Sequence, residues 1–340
     1  MKPFLKKVVE GEPLSRSEAK QAMEEMINGN VPQTQIASFL TAMRMKGETV
    51  EELIGFVEGI HSQAIPVRNP FEEAVDTCGT GGDGQNTFNI STAASIVASA
   101  AGVPVIKHGN RAVSGKSGSA DALEALKMNI RLNADEAVKM LEKTGLCFLF
   151  APLFHPAVKK VMSIRKELGF RTCFNLMGPL LNPARVKVQL LGVYDAGLTG
   201  KVAHVLNHLG VKRALVVSGL DGLDEMTVTD ATRISELENG EMKTYEVTPE
   251  SLGVNRWHAA SLRGGTAEEN ARIMKEVFAG KEGAPADIVS INAGAVLYLA
   301  GKAGSLKEGT EQAKRIIQSG RAREQLSKVV HASKEVTYVS

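Results

Sequence analysis

The chain reads as an α/β protein: a large domain with a mostly parallel sheet flanked by helices, joined to a smaller all-helical N-terminal domain. Three observations carry that expectation. Residues 1–64 hold helix start and stop signals without a strand pattern; from residue 74 short apolar runs alternate with helical patterns; two of those runs lead into glycine-rich loops one helix apart. Such alternation builds a parallel sheet covered on both faces, with ligands at the carboxyl ends of its strands. A length of 340 residues suits about two domains with ample core.

In the helical part, Ser15 and Glu18 stand at capping-box spacing before a helix that runs to about Ile27 and stops at Asn28-Gly29-Asn30. Pro32 suits the first turn of the next helix, whose Ile36, Phe39, Leu40 and Met43 recur at helical spacing up to Gly47. Thr49 and Glu52 repeat the capping box before a third helix to about Ala64, and Pro66 and Pro70 mark a linker. Nothing in this stretch forms a catalytic constellation. Its surplus apolar surface makes it the candidate interface of a homodimer.

Strands are expected at residues 74–77, 103–107, 146–150, 188–194 and 214–218. Helices are expected at 91–101, 120–126 and, capped by Asn133 with Glu136, 134–143. Residues 234–247 read as a hairpin turned at Asn239-Gly240. Residues 151–184 lack strand character, and GGTAEENARIM and INAGAVLYLAG read as helices packing the sheet. A net charge of +2 argues against a nucleic-acid surface. Three isolated cysteines, Cys78, Cys147 and Cys173, suit a reducing compartment, and no apolar run has signal-peptide or membrane-span length. The expectation is a soluble cytoplasmic protein.

The chemistry concentrates between residues 76 and 121. DTCGTGGDG (76–84) and KHGNRAVSGKSGSAD (107–121) flank NISTAASIVASAAG (89–102), a helix of small residues. Glycines let a backbone approach an anion, successive N–H groups form a nest, and the helix N-terminus adds partial positive charge. Lys107 and Arg111 add full charges. Gly79 to Gly84 also satisfies G-x-G-x-x-G, but about 20 residues on, where a dinucleotide site places an acid, stand Lys107 and His108. Gly115-Lys116-Ser117 looks like the end of a P-loop, yet five residues separate it from Gly109 where that motif has four. Further on, an apolar run leads into GLDGLDEMTVT (219–229), whose Asp221, Asp224 and Glu225 could hold a hard cation.

Taken together, GTGGD at Gly79, N-x-S-T at Asn89, KHGNR at Lys107 and SGSAD at Ser117 resemble the anthranilate phosphoribosyltransferase family. APLFHPAVKKVMSIRKELGFRTCFNLMGPLLNPA (151–184) resembles that family's A-P-x-x-H-P…V-R-x-x-L-G-x-R-T-x-F-N-x-x-G-P-L-x-N-P run, departing at Ser163-Ile164 where Pro-Val is common. Asn270 and Asn292-Ala293-Gly294 match as well. The pyrimidine nucleoside phosphorylases share the architecture and a glycine-rich loop but carry a different second loop, which makes them the alternative reading. A nucleotide-binding regulatory module without chemistry is the third.

The resemblance implies a helical domain of residues 1–70 completed by part of 160–187, and a phosphoribosyl pyrophosphate (PRPP) domain of 71–159 and 188–340. It implies PRPP contacts at Gly79, Gly81, Gly82, Asp83, Thr87, Asn89, Ser91, Thr92, Lys107, Gly109, Asn110, Arg111, Ser114, Gly115 and Ser119. Anthranilate would lie against Gly79, His108, Asn110, His155 and Arg165. Mg²⁺ would be held by Ser91, Asp224 and Glu225. No acid or base is implied, because an aromatic amine already has a free lone pair; positioning and charge stabilisation on the leaving diphosphate would carry the reaction.

Overall fold

The structure is a computed structural model that describes residues 1–112 and 115–337. Four helices open the chain: α1 (Lys2–Val9), α2 (Arg16–Asn28), α3 (Gln33–Lys46) and α4 (Val50–His61). Both expected capping boxes are present, with Glu18 N–H donating to Ser15 Oγ at 3.3 Å and Glu52 N–H to Thr49 Oγ1 at 3.1 Å. Two details differ from the sequence reading. Residues 2–9 form a helix of their own, and Pro32 stands just before the first turn of α3 rather than inside it. The backbones of α2 and α4 approach closely because α4 carries Gly55 and Gly59. A Cβ at Gly55 would lie 2.3 Å from the Arg16 carbonyl oxygen, and one at Gly59 2.8 Å from that of Lys20.

The α/β part runs β1 (Val75–Thr77), α5 (Ile90–Ala100), β2 (Val105–Gly109), α6 (Ser119–Ala125), α7 (Ala134–Thr144), β3 (Leu146–Phe150), α8 (Ala151–Phe154), α9 (Lys159–Leu168), α10 (Cys173–Met177), β4 (Val188–Gly192), α11 (Thr199–His208), β5 (Arg213–Gly219), β6 (Thr232–Glu238), β7 (Glu241–Val247), α12 (Ala267–Phe278), α13 (Ala284–Leu299), α14 (Leu306–Gln318) and α15 (Arg321–Glu335). The sheet order is β3-β2-β1-β4-β5-β6-β7. The first five of these strands are parallel; β6 and β7 form the expected hairpin and extend the sheet antiparallel. Cover on both faces holds for the parallel strands but not for β7, most of whose residues face solvent. The polar pattern EMKTYEV suits a rim strand of which Tyr245 and Val247 still pack against the core.

Period-two alternation places the sheet between two cores. Val188 and Leu190 of β4, with Leu215 and Val217 of β5, join the core that includes helices α5, α7, α13 and α15. Leu191, Ala214 and Val216 turn the other way, toward α11 and the four N-terminal helices. Helix α9 packs on α2 and α3, and α10 on α4, so residues 151–184 return the chain to that helical layer. From β1 the chain steps outward to β2 and β3, then crosses back to β4 on β1's other side. That reversal leaves a crevice beyond the carboxyl ends of β1 and β4, where open α/β sheets bind ligands.

Candidate active site at the carboxyl ends of β1, β2 and β5

The first glycine loop leaves β1 and bends through left-handed backbone at Gly81 (φ +64°) and Gly82 (φ +72°). Its Gly81 N–H donates to Asp224 Oδ2 at 2.6 Å. Asp224 arrives on the loop after β5, which lies so close to the end of β4 that a Cβ at Gly192 would stand 1.6 Å from the Asp224 carbonyl oxygen. A Cβ at Gly79 would stand 2.6 Å from Asp224 Oδ2. These two glycines therefore admit the acidic loop, a role separate from any approach to an anion. The neighbouring Glu225 is seated on the start of α5, where Ser91 N–H donates to its Oε1 at 3.2 Å. Asp221, from the same loop, accepts Thr227 Oγ1–H at 2.7 Å and Leu223 N–H at 3.1 Å, and so belongs to the loop's own folding.

Charge in this cluster is unbalanced. Burial, then the charges of Asp83 and Glu225, push the Asp224 carboxyl well above its ordinary range. Burial likewise moves Glu225 up to about 7, with Lys107 pulling the other way. Lys107 is itself only 2% exposed. Its Nζ donates to the Thr77 carbonyl, and to Thr77 Oγ1 and Ser91 Oγ at 3.2 Å each. The sequence reading sets this charge on the loop; the structure sets it beneath, bracing β1 against α5. Arg111 is also engaged, donating to Asp121 Oδ1 at 2.7 Å and to both Glu124 oxygens at 2.6 and 2.9 Å.

The remaining predicted contacts gather round these loops. Asn89 Nδ2 donates to the Ser117 carbonyl at 3.2 Å, while Asn89 Oδ1 accepts from Asn270 Nδ2 at 2.9 Å, which joins α12 to both loops. Ser119 Oγ donates to the Asn110 carbonyl at 3.2 Å and lies where a Gly109 side chain would be. Thr87 bridges to Arg263, Thr92 is buried at the start of α5, and a Cβ at Gly115 would meet nothing within 4 Å among the described residues. Ser114 lies outside the described residues. One group the sequence reading missed is Asp76, fully buried in β1. Its Oδ1 accepts His108 N–H at 3.1 Å and its Oδ2 accepts Asn182 Nδ2–H at 3.0 Å; burial moves its carboxyl up to about 6. An acid inside an otherwise apolar run was the available signal.

Across the crevice lie the groups assigned to the aromatic acceptor. The rings of His108 and His155 stand edge to face, 5.4 Å apart, and both are buried. His155 Nε2 pairs with the Leu181 carbonyl at 2.8 Å; among the described residues, His155 Nδ1 and both ring nitrogens of His108 have no partner. Burial lowers both, His108 to about 3, so each imidazole is neutral at pH 7. Arg165 is half-buried, stacked on Phe174 at 5.1 Å and bonded to Asn175 Oδ1 at 3.3 Å, with no carboxylate among the described residues beside it. The region thus brings together backbone donors and buried carboxylates, two buried neutral imidazoles, and a half-buried guanidinium with no carboxylate beside it among the described residues. That pairing suits a phosphorylated substrate and a small aromatic carboxylate. Cys78 is no candidate nucleophile, because burial and then Asp76 push its thiol up.

The chain matches the sequence profile of the glycosyl transferase family a/b domain over residues 71–323 and that of the glycosyl transferase family helical bundle domain over residues 2–64. It is 50% identical over 336 residues to an anthranilate phosphoribosyltransferase of Brevibacillus brevis, covering 99% of this chain and 98% of that one. Among solved structures, the anthranilate phosphoribosyltransferase of Thermus thermophilus superposes with a TM-score of 0.92 at 40% identity, covering 97% of this chain and 99% of that one. The Saccharomyces cerevisiae enzyme, solved in complex with PRPP and Mg, gives 0.89 at 30% identity over 98% and 97%. The same yeast enzyme has been solved with 4-fluoroanthranilate.

Proposed function

The chain belongs to the anthranilate phosphoribosyltransferases, and from that premise we propose how its residues divide the reaction. The enzyme transfers the phosphoribosyl group of PRPP to the amine of anthranilate, with release of diphosphate, in tryptophan biosynthesis. The observation that carries the assignment to this crevice is the seating of Asp224 and Glu225 on the Gly81 and Ser91 N–H groups. Donors that hold two carboxylates are donors shaped for anions.

In this reading the diphosphate of PRPP takes over the N–H groups of Gly81, Gly82 and the start of α5. Gly79, Asp83, Thr87, Asn89, Thr92, Gly109, Asn110, Ser119 and the remainder of the second loop enclose it. Lys107, under the loop, lends its charge from below. Magnesium is the cofactor, and the residues present fit it: Asp224 and Glu225 are buried like charges that a divalent cation would balance, with the Ser91 hydroxyl beside them. Among the described residues no three His, Cys, Asp or Glu side chains are grouped to hold a metal alone. One or two carboxylates completed by substrate phosphates is the usual magnesium arrangement. Bound there, the ion would neutralise charge that builds on the departing diphosphate. The chain itself orients the two substrates in line, and its neutral imidazoles leave the amine unprotonated. The test is to mix the protein with PRPP, Mg²⁺ and anthranilate and follow loss of anthranilate fluorescence; no loss, with the protein folded, ends the assignment.

Arg165 meets the acceptor carboxylate, which its planar fork can hold bidentately. Arg165→Ala is expected to weaken acceptor interaction by about 1.5–3 kcal/mol, the range for a hydrogen bond to a charged group, with PRPP affinity nearly unchanged. Unaltered apparent affinity for anthranilate would remove Arg165 from the site. Two coarser features complete the reading. Val9 and Met45, 66% and 84% exposed, leave apolar surface on the N-terminal helices and support a homodimer through that layer. Light scattering is expected to give twice the mass of 36.3 kDa, and a monomer at micromolar concentration would refute it. No helix among the described residues is long and apolar enough to cross a membrane, and a cytoplasmic location fits three free cysteines.

A further inference from the structure

Among the cations bordering the glycine loops, Arg171 reaches the first loop with no ion pair to an acidic side chain among the described residues. Lys107 lies under the loops, near enough to Asp76 and Glu225 to offset part of the rise that burial gives their carboxyls, and Arg111 is neutralised by Asp121 and Glu124. Arg171 has two partners, neither of them charged. Its Nη2–H donates to the Gly82 carbonyl, and its guanidinium lies 4.1 Å over the Tyr194 ring. The backbone on either side is fixed: Gly169 closes α9 in the left-handed conformation (φ +67°) two residues before it, and Thr172 caps α10 one residue after. Tyr194 lies two residues beyond the end of β4. The side chain therefore spans from the helical layer to the lip of the first glycine loop, and its edge is exposed.

We propose that Arg171 is a further binding residue for the diphosphate of PRPP, one that closes the first loop by transferring a donor from the Gly82 carbonyl to a phosphate oxygen. The inference rests on the reading that diphosphate occupies the loop of residues 79–83. A guanidinium has five N–H donors in one plane, and stacking occupies only a face of that plane. With Tyr194 on the face and one donor at Gly82, the remaining donors lie in the plane, at the edge of a loop whose other donors are backbone N–H groups. An arginine kept for folding can rest on a carbonyl oxygen, as Arg321 does on that of Ala100, but Arg171 does so at the lip of the anion-binding loop. This one is left with a full charge and the planar geometry that matches phosphate. Because the diphosphate gains negative charge as its bond to ribose breaks, the same contact strengthens toward the transition state.

The experiment titrates inorganic diphosphate with Mg²⁺ into the full chain by calorimetry, comparing wild type with Arg171→Gln and Arg171→Lys at low and high salt. Glutamine deletes the charge and shortens the side chain, whereas lysine keeps the charge and most of the reach, so the pair separates loss of charge from loss of the Gly82 contact. The expected result is at least a tenfold loss of diphosphate affinity in Arg171→Gln, a flatter salt dependence, partial recovery in Arg171→Lys, and unchanged melting temperatures. KM for PRPP rises in parallel while KM for anthranilate stays within twofold. Wild-type diphosphate affinity in Arg171→Gln overturns the proposal, as does a lowered melting temperature with affinity intact. If the wild type itself takes up no diphosphate, the loop assignment fails first and the role of Arg171 falls with it.

Discussion

Replacing Asp224 with Asn and Glu225 with Gln together is expected to lower turnover by at least about tenfold, equivalent to roughly 1.4 kcal/mol of barrier, and raised Mg²⁺ should recover part of it. The structure separates this from misfolding. Asn and Gln keep a carbonyl oxygen for the Gly81 and Ser91 N–H groups, so the loop contacts survive. The substitutions remove two buried acids whose carboxyls burial pushes up, that of Asp224 further under the charges of Asp83 and Glu225. The metal-free double variant should therefore melt no lower than wild type, while magnesium binding weakens. Full activity at limiting Mg²⁺ would take the acidic loop out of the mechanism. Asp221→Asn should do the opposite, because its carboxylate ties Thr227 and the Leu223 N–H within the loop: stability should fall without a shift in metal dependence.

Gly192→Ala should be at least as damaging. Its Cβ would stand 1.6 Å from the Asp224 carbonyl oxygen and 2.5 Å from the carbonyl carbon, both backbone atoms that cannot swing aside. The acidic loop must shift off the end of β4. Overpacking of this kind costs about 1–3 kcal/mol of stability, and displacement of Asp224 and Glu225 should reduce turnover well beyond tenfold. Gly200→Ala is the matched control. Its Cβ, within α11, would find its nearest neighbour at 3.9 Å, so a small gain in stability and normal activity are expected. Comparable activity in the two variants would show that the acidic loop needs no such close seat.

The parts of this molecule that could be read in advance are those fixed by local chemistry. Ser15, Thr49 and Asn133 with their glutamates marked helix starts because a capping box is complete within four residues. Residues 146–150 read as a strand because a fully buried strand is a short apolar run. What escaped the sequence depends on residues far apart. Nothing near Gly192 announces that the loop at Asp224 will rest on it. Nothing near Lys107 announces that its ammonium will be drawn under the loop by the Thr77 carbonyl. Asp76 reaches Asn182 across 106 positions, a partnership that only the crossover from β1 to the segment before β4 creates. The exposure of β7 was hidden for the same reason, since position at a sheet's rim is a property of strand order.

The hydrogen bond from Gly81 to Asp224 also bears on how fast and how faithfully the loop engages an incoming anion. A nest with free N–H groups would fluctuate among conformers and would have to be ordered at each encounter. Here a tethered carboxylate acts as a resident template, holding the glycines in left-handed geometry. On the proposed assignment of diphosphate to this loop, capture of substrate becomes an exchange of one anion for another, with little loss of chain entropy. Selectivity follows from the same exchange. A weak or singly charged anion must outcompete a carboxylate that never diffuses away, whereas a diphosphate arriving with a cation gives that carboxylate somewhere else to go.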